Sequence, residues 1–357
     1  MKTKKTLAIL LAALLLLSFG CSKKTETPVA PKATEAPASA AQTATKAPAS
    51  AEQTATKAPS ATAVAPAPTE EPADASFTVT DMTGREITFD KPVERAVALS
   101  AADCEIIFAL GAEETLVGRG EYCKYPLEAT KIPSVQSGYE TNIEQIIALQ
   151  PDVLFMATMA QSKEQVEQLE KAGIRVVVSD AQNIEGIYTS ITLIGDVMGK
   201  QAEAQAIIVK MQAVFDEIKA HPIQGEKTVY FEISPLQWGL WTAGAGTFMN
   251  EVAEMMGLKN CFADVQGWAE ISEEQVIERN PDFIVTTTMY FGEGPTPEAE
   301  IMSRAGWVNV TAVKEKNILN LTNDELTRPG PSLAEGVQML YDFVVKSLAA
   351  MELAPAA

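Results

Sequence analysis

Two segments of the chain repeat one another: Asn142-Ile143-Glu144-Gln145-Ile146-Ile147-Ala148-Leu149-Gln150-Pro151-Asp152 and Ser272-Glu273-Glu274-Gln275-Val276-Ile277-Glu278-Arg279-Asn280-Pro281-Asp282. In each, an N-cap residue stands two positions before a glutamate, and Gln with two β-branched apolar residues follows. Pro-Asp closes both segments at the same offset, and an apolar run comes next, Val153-Leu154-Phe155-Met156 and Phe283-Ile284-Val285. This order reads as helix start, helix, proline stop and buried strand. The spacing of Glu144 and Glu274, 130 residues, is about one small domain. A chain built this way folds as two similar lobes, each presenting one first-turn glutamate.

The N-terminal end sets the outer bound. Lys2, Lys4 and Lys5 precede an apolar run from Leu7 to Leu17, and Ser18-Phe19-Gly20-Cys21 follows. A basic start, a short apolar stretch and a small residue before the cut describe an export signal, and the run is too short to span a bilayer comfortably. The segment resembles a bacterial lipoprotein signal, which implies that Cys21 is lipidated. It departs from that pattern at Ser18, where a large aliphatic residue is usual and Leu17 stands one place earlier. The plainer reading is an ordinary secretory peptide with an incidental cysteine. Residues 22 to 75 favour the anchor: Ala, Pro, Thr, Ser, Lys, Gln and Glu dominate, and Gln-Thr-Ala-Thr-Lys-Ala-Pro occurs at 42–48 and again at 53–59. Such a stretch buries too little apolar surface to offset its ordering entropy. It is expected to be a disordered tether between a membrane and a folded body.

The body, from about Ser76 to Leu353, is long enough for two lobes with cores of their own. Residues 1–75 hold eight lysines and six acidic groups, which leaves 20 basic and 41 acidic residues for the remainder. That balance argues against a nucleic-acid partner, whose phosphates require a basic footprint. Cys104, Cys123 and Cys261 are an odd set, so at least one thiol is unpaired. Cys104 and Cys123 have the option of bridging within the first lobe. Their spacing fits no zinc pattern, and the preferred reading is that they are small buried hydrophobes.

A coarse reading gives a hairpin over 78–89, a strand over 96–99, a helix over 101–110, and then the first Pro-Asp unit. A helix over 165–171, a strand over 174–178 and helices over 187–198 and 201–220 follow. The alternation restarts with a strand over 228–233, a helix over 247–256, the second Pro-Asp unit, a strand over 318–321 and a closing helix over 332–348. Alternating strands and helices predict an α/β fold: two Rossmann-like lobes with mostly parallel sheets, joined by one long helix. The expected divisions are a signal over 1–21, the tether over 22–75, an N-terminal lobe over 76–200, a strut helix over 201–220 and a C-terminal lobe over 221–353.

The order Asp81-x-x-Gly84-Arg85, Tyr122-Cys123-Lys124-Tyr125-Pro126, the Glu144 and Glu274 units, Trp241-Thr242-Ala243-Gly244, Trp268 and Arg328-Pro329-Gly330-Pro331 resembles the helical-backbone periplasmic binding proteins. These are the receptors of ABC importers for cobalamin, haem and iron–siderophore complexes. The resemblance covers residues 76 to about 350. It implies a monomer that captures a corrinoid or ferric siderophore between its lobes and docks on an ABC permease dimer, with no catalysis and no cofactor. It also implies that Glu144 and Glu274 are exposed acids facing permease arginines, one per subunit. Helix chemistry alone accounts for either glutamate singly: Asn142 and Ser272 are good N-caps, Gln145 and Gln275 stand at capping-box positions, and acids favour the first turn. Capping does not require equivalent acids on two lobes, whereas a two-subunit partner does.

The expected ligand-binding residues are aromatic: Tyr122 and Tyr139 in first-lobe loops, Trp238, Trp241 and Trp268 in second-lobe loops. Rings beside Gly and Pro suit a flat ligand better than a core, although a lone ring of this kind is more often packing, and Trp307 reads that way. Tyr122, Trp241 and Trp268 also match positions that line the cleft of the family's cobalamin receptor. No Arg or Lys cluster for a catecholate-type siderophore stands out, although Arg328 and Lys124 have the charge to contribute. Other chemistries are disfavoured. Gly244-Ala245-Gly246 reads as a turn, His221 alone makes neither a triad nor a multi-histidine metal site, and Met249, Met255 and Met256 read as core. A corrinoid is the first expectation, then an iron–siderophore, then haem. An exported hydrolase using Glu144 and Glu274 is the rival class.

Overall fold

The structure, a computed structural model, describes residues 76–137, 141–157, 163–288, 292–321 and 325–353. Cys21, the tether and Tyr139 lie outside them. Strands β1 (Phe77–Thr80) and β2 (Glu86–Phe89) form the expected antiparallel hairpin. Its turn closes on Asp81, whose carboxylate accepts the Thr83 and Arg85 N–H groups and pairs with the Arg85 guanidinium at 2.9 Å.

The first lobe alternates β3 (Ala96–Ala98), α1 (Ala101–Ala109), β4 (Leu116–Gly120), β5 (Ser134–Val135), α2 (Ile143–Ala148), β6 (Val153–Met156), α3 (Lys163–Lys171) and β7 (Arg175–Val178). The five strands form one parallel sheet in the order β5-β4-β3-β6-β7. Two helices, α4 (Ile184–Val197) and α5 (Gln201–Ala220), lead to the second lobe. There β8 (Thr228–Glu232), β9 (Leu240–Ala243), α6 (Phe248–Met256), β10 (Lys259–Asn260), β11 (Trp268–Ile271), α7 (Glu273–Arg279), β12 (Phe283–Thr286), α8 (Pro297–Ser303), α9 (Thr311–Lys314), β13 (Ile318–Asn320) and α10 (Leu333–Leu353) follow. Strands β10-β8-β12-β13 make a second parallel sheet, and β9 with β11 make a separate antiparallel ribbon.

Period-two alternation assigns the faces of both sheets. Ala96, Ala98, Val153, Phe155, Val229, Phe231, Phe283 and Val285 share one core with the buried side of α5. Their neighbours Val97, Leu154 and Val176 pack under α2 and α3, while Tyr230 and Ile284 pack with α7 and Trp307. One continuous core thus runs through both lobes. Helix α5 spans it: 20 residues reach about 30 Å. Its Ala204, Ile208, Met211, Phe215 and Ile218, spaced three or four apart, are buried, and it packs on α4, α6 and α10.

The repeated Pro-Asp units do the same mechanical work twice. Gln150 and Asn280 take left-handed backbone (φ 48° and 45°) and end their helices just before the proline. Asp152 then accepts the N–H groups of Glu94 and Arg95 at 3.1 and 3.0 Å, ahead of β3. Asp282 accepts the Thr228 N–H at 2.9 Å and pairs with Lys227 at 3.0 Å, at the start of β8. Each aspartate registers its own strand against the central strand of its sheet. Helix stop and strand registry therefore explain the Pro-Asp half of the repeat. They leave the glutamates unexplained.

Several expected boundaries shift. Helix α4 starts at Ile184 rather than 187, because Asn183 accepts the Gly186 N–H and caps it. Helix α10 continues past 348 to Leu353. Strand β4, Leu116-Val117-Gly118-Arg119-Gly120, has no counterpart among the expected elements. Its glycines are sites of close approach: a Cβ on Gly118 would stand 2.5 Å from Leu149 Cδ1, and one on Gly120 2.2 Å from the Leu99 carbonyl oxygen.

Candidate ligand-binding site

In both sheets the chain reverses its direction of travel beside the central strand, between β3 and β6 and between β8 and β12. Open parallel sheets take ligands outside the carboxyl ends of their strands at such points. The exposed aromatic residues sit on those edges. Tyr122 follows β4 and is 66% exposed. Trp238 lies beyond β8 in a single turn of 3-10 helix, 76% exposed.

The placement of Trp241 and Trp268 in loops is corrected: both are strand residues of the β9–β11 ribbon. Trp241 stands opposite Glu270 and Trp268 opposite Ala243, so both indoles project from the same face. Trp241 is 41% exposed. Trp268 is half-buried, edge-on to Phe248 with ring centroids 5.6 Å apart, and so serves packing as well. The Ile233 N–H donates to the Trp241 carbonyl at 2.9 Å, which ties the ribbon to the end of β8. Two cavities, of about 820 and 530 Å³, lie elsewhere, and Tyr122, Trp238, Trp241 and Trp268 line neither.

The charges near these edges are largely committed. Glu232, the last residue of β8, is buried and receives both Arg304 amino groups at 2.6 and 2.9 Å. Burial pushes its carboxyl up against the pull of Arg304. Arg304 also pairs with Glu300 at 2.6 Å and lies over the Trp307 ring. Arg328, considered as a contributor of positive charge to an anionic siderophore, is buried, paired with Glu105 of α1, and stacked 4.5 Å over the Tyr125 ring. Ser332 adds its Oγ–H and N–H to the same carboxylate. Lys124 remains exposed. Neither buried network was foreseen, since the partners of Arg304 and Arg328 lie 72 and 223 residues away in the chain.

Glu144 and Glu274 are both exposed, in the first turns of α2 and α7. Both helices return from the carboxyl edge to the start of the next strand, which places their first turns on that edge. Asn142 and Ser272 accept the Gln145 and Gln275 N–H groups at 3.0 and 3.3 Å. Only the second forms the full capping box; Gln145 instead accepts the Gln136 N–H at 3.1 Å. Hydrogen bonds from its own N–H and from Ser272 hold the Glu274 carboxyl below its usual range. A general acid needs the opposite shift. Trp307 is buried, as expected, and donates to Glu273 at 2.9 Å.

Two parallel α/β lobes thus share one core and carry exposed rings near their strand ends. The chain belongs to the periplasmic binding protein family, whose model matches residues 97–325. An uncharacterized ABC transporter substrate-binding lipoprotein of Bacillus subtilis, YvrC, is 34% identical over 274 residues, 75% of this chain and 85% of the relative. A cobalamin-binding protein of Halobacterium salinarum is 29% identical over 77% of each chain. The solved haem-binding protein HutB of Vibrio cholerae shares the fold, with a TM-score of 0.63 at 21% identity over 70% of this chain and 98% of that one.

Proposed function

We propose that the protein is a lipid-anchored receptor that captures a corrinoid at the carboxyl edges of its lobes and delivers it to an ABC permease dimer. Tyr122, Trp238, Trp241 and Trp268 would form the aromatic surface for the ring system, Tyr139 would extend it from outside the described residues, and Cys21 would carry the anchor. The observation that carries the reading is the set of exposed rings near the strand ends of both lobes, in a body where Arg304 and Arg328 are already paired with buried acids. A neutral, flat ligand suits such a surface better than an anionic chelate does. The cobalamin-binding relative supports the same ligand class, and the lipoprotein relative supports the anchor. Glu144 and Glu274 are assigned to permease arginines, because the cap and the Pro-Asp clamp account for their neighbours and not for them. Catalysis has no part in this reading.

The test joins binding to uptake. Cobinamide should quench the tryptophan fluorescence of the purified protein saturably, and Trp241→Ala should weaken that response. A response to a ferric siderophore or to haem alone would replace the ligand and keep the class. Glu144→Ala and Glu274→Ala should leave the titration unchanged and reduce cellular uptake, the double variant most, since losing an interface charge pair costs about 2–5 kcal/mol. Loss of ligand affinity with uptake in proportion would move the glutamates into the binding site and overturn their docking role.

A further inference from the structure

Cys104 and Cys123 are buried free cysteines brought together at one carbonyl group, which takes the backbone N–H of the first and the thiol of the second. Cys104, in the first turn of α1, donates its N–H to the Ser100 carbonyl at 3.2 Å. Cys123 donates its S–H to the same oxygen, also at 3.2 Å. The two side chains lie near enough for each thiol to shift the other. We propose that Cys104 and Cys123 are a covalent modification site, joined as a disulfide in the exported protein, which pins the Tyr122-bearing turn to the first turn of α1.

In the finished fold the two thiols differ. The neighbouring Cys123 thiol, aided by the Arg119 charge, holds the Cys104 thiol below its ordinary range against the effect of burial. Cys123 is pushed up by the same contact and by burial. Thiolates attack disulfides, and the exchange is written with Cys104 as the first to react. Its thiolate attacks one sulfur of a disulfide-bearing thiol oxidase, and the oxidase's other sulfur leaves as thiolate and takes up a proton. Cys123 then loses its proton and attacks the Cys104 sulfur, releasing the second oxidase thiolate. Two protein thiols become one disulfide, and one oxidase disulfide becomes two thiols. Both sulfurs are buried in the finished fold, so exchange belongs to the folding chain, before β4 and its following turn close over them. Cys261 takes no part: burial pushes its thiol up to about 12, and it belongs to the second lobe.

The inference rests on the proposed export only for its oxidant, and fractionation of the cells reports export separately. Full-length protein is extracted from the envelope under an alkylating agent, unfolded, and digested without reductant. A linked pair of peptides carrying Cys104 and Cys123 is expected, with Cys261 alkylated. Cys104→Ser should leave Cys123 alkylated, and Cys123→Ser should leave Cys104 alkylated. Reduction should lower the melting temperature of the wild-type protein by roughly 5–10 °C, as expected for opening a loop of this length, and leave that of the double serine variant unchanged. Recovery of both residues alkylated without reductant, or linkage of either to Cys261 or to a second chain, overturns the proposal.

Discussion

At the scale of single residues, the least comfortable group is Asp103. It lies in the first turn of α1, and its Oδ1 accepts the Ser179 hydroxyl while its Oδ2 has no partner. Burial raises its carboxyl to about 7, with Asp180 adding to the shift and hydrogen bonds from Ser100 and Ser179 opposing it. An acid whose folded pKa lies above its unfolded value of 3.8 stabilises the fold fully below about pH 4. That contribution is lost as pH rises toward 7 and stays lost above it. Asp103→Asn keeps the shape and removes the charge, so its advantage over wild type should grow from pH 4 to pH 8 and reach up to about 4 kcal/mol. Urea unfolding of both proteins at pH 4, 6 and 8 measures this, and a constant difference across the series would refute it.

Among elements, α5 carries the most. Its buried residues face helices of both lobes within one core. Phe215, 1% exposed, cannot be replaced by a neighbour swinging in from a side that is already filled. Phe215→Ala should cost about 3–5 kcal/mol and should lower the unfolding midpoint of the whole body in a single transition. Two separated transitions would show that the lobes fold apart despite the shared core. A cap, by contrast, is a local device: Ser272→Ala should cost about 1 kcal/mol.

For the molecule as a whole, the Glu105–Arg328–Ser332 cluster joins α1 of the first lobe to the segment leading into α10. Both charged side chains are 4% exposed. Removing one partner of such a buried pair leaves the other charge uncompensated and typically costs about 3–5 kcal/mol. Arg328→Met should therefore destabilise by that amount and raise hydrogen exchange in α1 and early α10 before other helices. Equal exchange across the molecule would mean that the cluster does not hold the lobes together. With one core and this clamp between them, the lobes are expected to move little relative to one another when a ligand arrives.

Local rules made the α/β alternation, the 201–220 helix and the repeat at 142 and 272 legible. Helix period, proline stops, N-caps and apolar runs act over a few residues, and the folded chain obeys them. The sequence also determined which rings were candidates, because Tyr122 and Trp238 stand among glycine, proline and polar neighbours and emerge exposed. Long-range packing decided the rest. Strand β4 goes unread, and its Gly118 and Gly120 are explained only by Leu149 and the Leu99 carbonyl, which fill the space a side chain would need. Trp241 and Trp268 look like loop residues until antiparallel pairing with a partner strand some 30 residues away makes them one face of a ribbon. Arg328 has the charge to serve an anionic ligand until Glu105, 223 residues distant, takes it. Such partners leave no local mark, because a salt bridge or a ladder needs only that two groups meet in space.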